Sequence, residues 1–278
     1  PAPIGMLVVK ITAHCNLDCS YCYEYRMRDE SWRDKPRFLS DTLAATLARR
    51  IREHCQAWNL HAFTISFHGG EPLLMRPAGI ARLVDIIRTE VGPGVTIHFG
   101  MQTNGMLITP ELAQELAELR FSVGVSLDGP KRTNDRSRIT RNGKSSFART
   151  LRGIQALKSV GHPDLFAGIL AVIDIEEDPL VTYDFLAQLD PPMIDFLLPH
   201  GTWEKPPKGK EGFDAVTPYG DWLVSIFDSW FSGNRADIAI RTFEEIIEHL
   251  AGGPGSLETI GLEPVSLLTI ATDGGIEG

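Results

Sequence analysis

Six short apolar runs, each followed by a stretch with helical periodicity, set the limits on what this chain can fold into. The first run, MLVVKI (6–11), precedes SDTLAATLARRIREHCQAW (40–58), where Leu43, Leu47, Ile51, Cys55 and Trp58 recur at helical spacing and Ser40 stands as an N-cap. AFTISF (62–67) precedes a helix at about 77–91, and VTIHFG (95–100) precedes one that starts after Pro110. FSVGVSL (121–127) leads to a helix over 145–161 that stops at Gly161, and LFAGILAVI (165–173) leads to one over about 178–189. IDFLL (194–198) leads to PYGDWLVSIFDSWF (218–231). Alternation of this kind predicts an α/β fold, a parallel sheet with right-handed crossovers. Six units are too few to close an eight-stranded barrel, so a (β/α)6 partial barrel or a doubly wound sheet is expected. A further helix at RTFEEIIEHLA (241–251) and a strand-like VSLLTIA (265–271) follow, separated by Gly/Pro-rich sequence.

The chain has 278 residues, 43% of them hydrophobic, enough for a full core. A net charge of -9 argues against a nucleic-acid partner, because phosphate contacts need a basic surface. The one basic run, PKRTNDRSRITRNGK (130–144), reads either as a solvated loop or as a loop that grips an anion. No apolar run approaches the roughly 20 residues that span a bilayer, and PAPIGMLVVK has no secretory pattern. No membrane partner and a cytoplasmic location are therefore expected, and Pro1 at the start suggests a trimmed N-terminus. WEKPPKGKEG (203–212) is a candidate mobile lid.

Unusual segments follow every strand: HCNLDCSYC (14–22), HGGEP (68–72), QTNG (102–105), SLDGP (126–130), DIEE (174–177) and PHGTW (199–203). In a parallel β/α sheet these loops share the carboxyl edge, where ligands bind. Three of the four cysteines, Cys15, Cys19 and Cys22, crowd into the first of them. In a compartment that keeps thiols reduced, such crowding points to metal. With His14 the set becomes a Cys3His zinc site; without it, three thiolates fit an iron–sulfur cluster with one iron left open. Cys55, on an apolar helix face, is expected to be a buried inert thiol.

CNLDCSYC after strand 1 and GGEP after strand 2, in that order on a (β/α)6 pattern, resemble the cluster and methionine-binding motifs of radical SAM enzymes. The resemblance implies one [4Fe-4S] cluster on Cys15, Cys19 and Cys22, with S-adenosyl-L-methionine (SAM) on the open iron. It also implies that Gly69 and Gly70 let backbone approach the methionyl group and that Glu71 accepts from its ammonium. Asn104 and Ser126 would bond the ribose or carboxylate, and Arg138, with Arg141 as second choice, would clamp the carboxylate. Tyr21 would pack on adenine. Asn104-Gly105 and Asp128-Gly129-Pro130 also read as turn sequences, and Tyr21 as core packing. Longer phrases, KITAHCNLDCSYCYEYRMRDESWRDKP, LLPHGTW and LETIGLEPVSLLTIATDGGIEG, resemble cyclophane-forming SPASM-type peptide maturases. That finer resemblance implies a ribosomal precursor peptide as substrate and an electron donor such as flavodoxin or ferredoxin. His200 is the candidate for moving a proton, Asp273 a further catalytic candidate with no role assigned, and Trp203 the candidate for anchoring a peptide aromatic. Other radical SAM chemistry (oxidation, epimerisation, thioether formation) and a zinc-stabilised binding module are the alternatives. The expected organisation is a core over 4–215 and a helical extension over 216–278 leading toward an auxiliary-cluster region that the sequence does not contain.

Overall fold

The computed structural model describes residues 2–210, 216–233, 237–255, 260 and 264–277. Its strands are β1 (Met6–Thr12), β2 (Ala62–Gly69), β3 (Thr96–Thr103), β4 (Phe121–Ser126), β5 (Phe166–Val172), β6 (Met193–Leu197), β7 (Ala239–Ile240), β8 (Leu267–Ile270) and β9 (Ile276–Glu277). They form one sheet in the order β7-β6-β5-β4-β3-β2-β1-β8-β9. All neighbours are parallel except β8 and β9. From β1 to β7 the spatial order is the chain order, with no reversal. Right-handed crossovers then place the helices that connect successive strands on one face, as in a partial barrel; a doubly wound sheet would reverse direction partway.

The helices are α1 (Tyr23–Arg26), α2 (Asp41–Trp58), α3 (Pro77–Val91), α4 (Pro110–Glu118), α5 (Lys131–Ser137), α6 (Phe147–Ser159), α7 (Pro179–Gln188), α8 (Pro218–Ser232) and α9 (Arg241–Leu250). Ser40 caps α2 by accepting from Leu43 N. Its buried face runs through Ala44, Ala48, Ile51 and Cys55; Trp58 is 43% exposed, one position beyond the stripe. Gly161 follows α6 at φ +71°. The basic run that reads as a loop is partly a helix, α5.

Strand alternation divides the sheet. Val9, Ile11, Ile65, Phe67, Phe99, Met101, Val123 and Val125 are sealed under the helices. Their neighbours Lys10, His68, Gln102 and Ser126 occupy the opposite, concave face. Lys10 lies beside His68 in register, and Gln102 Nε2 donates to Ser126 Oγ at 2.8 Å. Beyond residue 216, α8 packs Trp222 on Phe196 of β6, β7 extends one end of the sheet, and β8 covers the free side of β1. The 215/216 boundary and most of the Gly/Pro-rich stretch over 256–263 lie outside the described residues.

Candidate active site

The cysteine loop leaves β1 and is braced on both sides. On the β2 side, Gly70 N donates to Thr12 O (3.0 Å) and Glu71 N to His14 O (2.8 Å). A Cβ on Gly69, at φ +140°, would lie 2.1 Å from Thr12 O, and one on Gly70 would lie 2.2 Å from His14 O. The two glycines are therefore demanded by the cysteine loop's own backbone, a different reason from close approach to a ligand. On the β4 side, Leu17 and Thr140 form an antiparallel bridge, with Asp18 N donating to Ile139 O (2.8 Å) and Ser20 N to Ser137 O (3.3 Å).

The three thiols are half-buried and Cys55 is buried on α2. Burial pushes Cys15 up to about 12 and raises Cys19 and Cys22. Leu17 N donates to Cys15 Sγ at 3.4 Å. Three thiols carried on one loop, with Cys55 buried away on α2, are the donor set of a cubane cluster with one iron left open, and that iron would displace their protons.

Glu71 is 1% exposed. Its Oε1 accepts from Thr103 Oγ1 (2.6 Å) and Leu73 N (3.1 Å), and its Oε2 from Asn104 N (2.8 Å). Burial raises its pKa, and the three donors and Arg138 work against that rise. A carboxylate has about four acceptor positions, so one is left for a ligand's ammonium. Asn104 in turn donates through Nδ2 to Asn16 Oδ1 (2.7 Å) and accepts at Oδ1 from Met106 N (3.0 Å), which joins the end of β3 to the cysteine loop and forms its turn as well.

Tyr21, Asp128 and Arg138 form a second brace. Tyr21 donates to Asp128 Oδ2 (2.6 Å), Arg138 Nη1 donates to Tyr21 Oη (2.7 Å), and Asp128 Oδ1 accepts from Val172 N (3.2 Å). Burial opposes the charge on Arg138, but Tyr21, Cys19 and Asp128 outweigh it and hold the guanidinium protonated. The tyrosine hydroxyl is thus fixed between two charged partners, and Arg138 spends one of its five donors here. The other arginines of α5 turn to the loop after β5: Arg132 Nε donates to Glu177 Oε2 (2.8 Å) and Arg136 Nη1 to Asp174 Oδ2 (2.5 Å). The basic run therefore grips an internal acidic loop. Arg141 is exposed.

A cavity of about 340 Å³ opens between these loops, lined in part by Tyr21, Asp128, Arg136, Asp174, His200 and Lys208. A larger one, about 1250 Å³, lies at the amino ends of β3 and β4 around Arg88, His98 and Ser122, at the opposite edge from every motif. His200 is exposed, its ring 4.9 Å from that of Tyr23. Trp203 is 90% exposed. Asp273 is exposed in the turn between β8 and β9, where its Oδ1 accepts from Gly275 N (2.9 Å). The loop at 203–210 is tied down by Lys208–Glu176 (2.6 Å) and by Tyr219 Oη donating to Lys208 O (2.9 Å); residues 211 and 212 lie outside the described residues.

Sequence reasoning passed over Lys10. It is 7% exposed on the concave face, 2.5 Å from both Glu24, which follows Cys22 by two positions, and Glu277 of β9; Lys35 also pairs with Glu277. The signal was present: one lysine inside the apolar run MLVVKI. Asn16, His68 and Asp128 were likewise missed in these roles, although each sits inside a motif.

The description "Radical SAM superfamily" matches residues 9–186. The serine-type anaerobic sulfatase-maturating enzyme of Bacteroides thetaiotaomicron is 30% identical over 266 residues, covering 90% of this chain and 63% of the relative, so this chain spans less than two thirds of that protein. The cysteine-type anaerobic sulfatase-maturating enzyme of Clostridium perfringens is 26% identical, covering 91% and 68%. The solved structure of anSMEcpe with bound AdoMet superposes with a TM-score of 0.82 at 24% identity, over 98% of this chain and 73% of that one. SuiB of Streptococcus suis superposes with a TM-score of 0.63 at 15% identity, over 99% and 60%. With its cysteine loop braced at the carboxyl edge of a partial barrel, the chain belongs to the radical SAM superfamily, enzymes that carry a [4Fe-4S] cluster and SAM.

Proposed function

We propose that the chain is the radical-generating core, over residues 4–215 with an extension over 216–278, of a maturase that acts on a ribosomal precursor peptide and forms a side-chain crosslink of the cyclophane type. When bound, the cluster on Cys15, Cys19 and Cys22 and SAM supply a 5′-deoxyadenosyl radical that takes a hydrogen from the peptide. Glu71, with Gly69 and Gly70 fixing its loop, offers its remaining acceptor position to the cofactor's ammonium. Asn104, Ser126, Tyr21 and Arg138 would hold the cofactor from the neighbouring strand ends. The carrying observation is the contact between Tyr23 and His200, which sets PHGTW, part of the maturase-like sequence, against the helix that begins after Cys22. His200 is placed to move a proton and Trp203 to meet a peptide aromatic. Reduced thiols suit a cytoplasmic setting, and among the described residues no helix is long and apolar enough to cross a membrane.

A second reading, oxidation of a single side chain, is favoured by the sulfatase-maturating relatives, the first of them named serine-type. One experiment separates the two. The chain is coexpressed with short peptides encoded beside its gene, and each peptide is weighed and fragmented. A crosslink removes two hydrogens and suppresses fragmentation between the joined residues. Oxidation of one serine hydroxyl to a carbonyl removes the same two hydrogens, leaves fragmentation intact and gives a product that reacts with a hydrazide. An unchanged peptide mass, with the cluster in place, would refute both.

A further inference from the structure

On the concave face of the sheet the side chains shrink toward the centre. Ser66 of β2 stands beside Gly100 of β3, Gly100 beside Ser122 of β4, and Val8 of β1 on the other side of Ser66. The helix side of these strands is sealed, whereas Val8, Thr64, Ser66, Gly100 and Gln102 are all half-buried. A Cβ built on Gly100 would meet nothing nearer than Ser66 Oγ, at 3.4 Å. Gln102 bounds this hollow on the β4 side by lying across Gly124, where a Cβ would be 2.3 Å from Gln102 Oε1 and 3.6 Å from Leu170 Cδ1. Its amide is pinned there by the bond to Ser126 Oγ.

His68 closes the hollow toward the carboxyl edge, two positions beyond Ser66 on the same face. Its Nδ1 lies 3.2 Å from Gly69 O. A carbonyl can only accept, so Nδ1 carries the proton and Nε2 keeps its lone pair. Nε2 has no partner among the described residues and is not sealed from solvent. Burial holds the ring neutral, Lys10 adds to that, and Gly69 O and Glu24 work against it. Lys10, the neighbour of His68 in register, is itself paired with Glu24 and Glu277. The rim therefore offers one fixed acceptor, and its lysine offers no free charge. A small-residue floor with such a rim suits a flat, uncharged ring that carries a donor.

We propose that the hollow over Ser66 and Gly100 seats an aromatic side chain of the peptide, and that His68 Nε2 selects a ring with its own donor, the phenol of tyrosine or the indole of tryptophan, over that of phenylalanine. This deepens the maturase reading above and rests on it. Glu71 and Asn104 lie beyond His68 toward the carboxyl edge, so the ring would sit beneath the cofactor and not in its place. His68 is then a specificity-determining residue.

The test measures binding and not turnover. The probes are the N-acetyl amides of tyrosine, tryptophan, phenylalanine and serine, titrated by ligand-observed NMR against the anaerobic, iron-reconstituted chain with SAM present. The tyrosine and phenylalanine probes differ by one hydroxyl, and one neutral hydrogen bond corresponds to roughly two- to tenfold in affinity. The wild type should hold the tyrosine and tryptophan probes more tightly than the phenylalanine probe by that factor. His68→Leu should abolish the difference and still bind the phenylalanine probe, with iron content and circular dichroism unchanged. Gly100→Val, which fills the hollow at ordinary contact distances, should weaken all three aromatic probes. Equal wild-type affinities for the tyrosine and phenylalanine probes, or a preference that survives His68→Leu, would overturn the proposal. Binding unweakened by Gly100→Val would place the ring elsewhere and overturn it too. So would a serine probe held as tightly as the tyrosine one, which would give the acceptor to a small hydroxyl. The expected preference, found together with coexpressed peptides that emerge unmodified, would refute the maturase reading and uphold the aromatic site.

Discussion

Replacing Glu71 with glutamine separates the brace it forms from any cofactor it holds. The side chain keeps its shape but exchanges one acceptor oxygen for a donor. Oε1 serves Thr103 Oγ1 and Leu73 N, and Oε2 serves Asn104 N. Whichever way the new amide turns, one backbone N–H, that of Leu73 or Asn104, faces an NH2 group. A lost charge-assisted hydrogen bond and an orphaned buried donor together cost about 3–4 kcal/mol. Removing a buried charge returns part of this, because burial outweighs the donors around Glu71. The net loss should be about 2–3 kcal/mol, or roughly 3–5 °C in melting temperature for a chain of 278 residues. The assay is anaerobic thermal unfolding of the metal-free chain, where no cofactor contributes. Thr103→Val, which removes one of the three bonds, should cost less, and its effect should not add to that of Glu71→Gln. A melting temperature within about 2 °C of wild type would show that the carboxylate does not hold the ends of β2 and β3 together. A normal melting temperature with SAM binding weakened about tenfold would assign Glu71 to the ligand alone.

Three further outcomes follow from the same geometry. Gly70→Ala drives a methyl into His14 O, so the metal-free chain should lose about 1–3 kcal/mol and iron retention against a chelator should fall; unchanged retention would show that the loop shifts freely. Reconstituted wild type should hold about four irons, each of Cys15→Ala, Cys19→Ala and Cys22→Ala should abolish them, and Cys55→Ala should keep them. Glu177 is pushed up by burial but held below the usual carboxylate range by Arg132, Thr133 and Asp178 N; a lowered value stabilises the fold above a pH of about 4.3. That contribution fades as pH falls through the folded value, so Glu177→Gln should flatten the acid limb of the stability profile, and an identical slope would refute the pairing.

The six core strands and their helices are legible because each carries its own period, and Ser40 and Gly161 mark their helix ends by ordinary capping chemistry. The cysteine loop and GGEP are legible because their residue types have few other uses. What local pattern does not contain is partnership. Nothing in PKRTNDRSR says that its arginines meet Glu177 and Asp174, some forty residues on. Trp58 shows the limit of periodicity: the spacing allows it on the buried face, and the helix ends before the core reaches it. Asp273, a candidate for chemistry, also shapes a turn by accepting from Gly275 N, a contact that its Asp-Gly sequence makes legible.

The pairing of β1 with β8, Met6 with Leu267 through Val9 with Ile270, gives the molecule an assembly order. β1 leaves the ribosome before the other described strands, and one of its two neighbours follows only some 260 residues later. Contacts so distant in sequence close late. Until then the strand that feeds the cysteine loop presents a bare hydrogen-bonding edge, open to wrong pairing. The hairpin that follows β8 brings Glu277 to Lys10 and Lys35, so these two salt bridges cannot form before that edge is covered. A nascent chain would therefore be expected to acquire its metal after translation has passed β8, and chains stalled earlier to remain colourless and prone to aggregate.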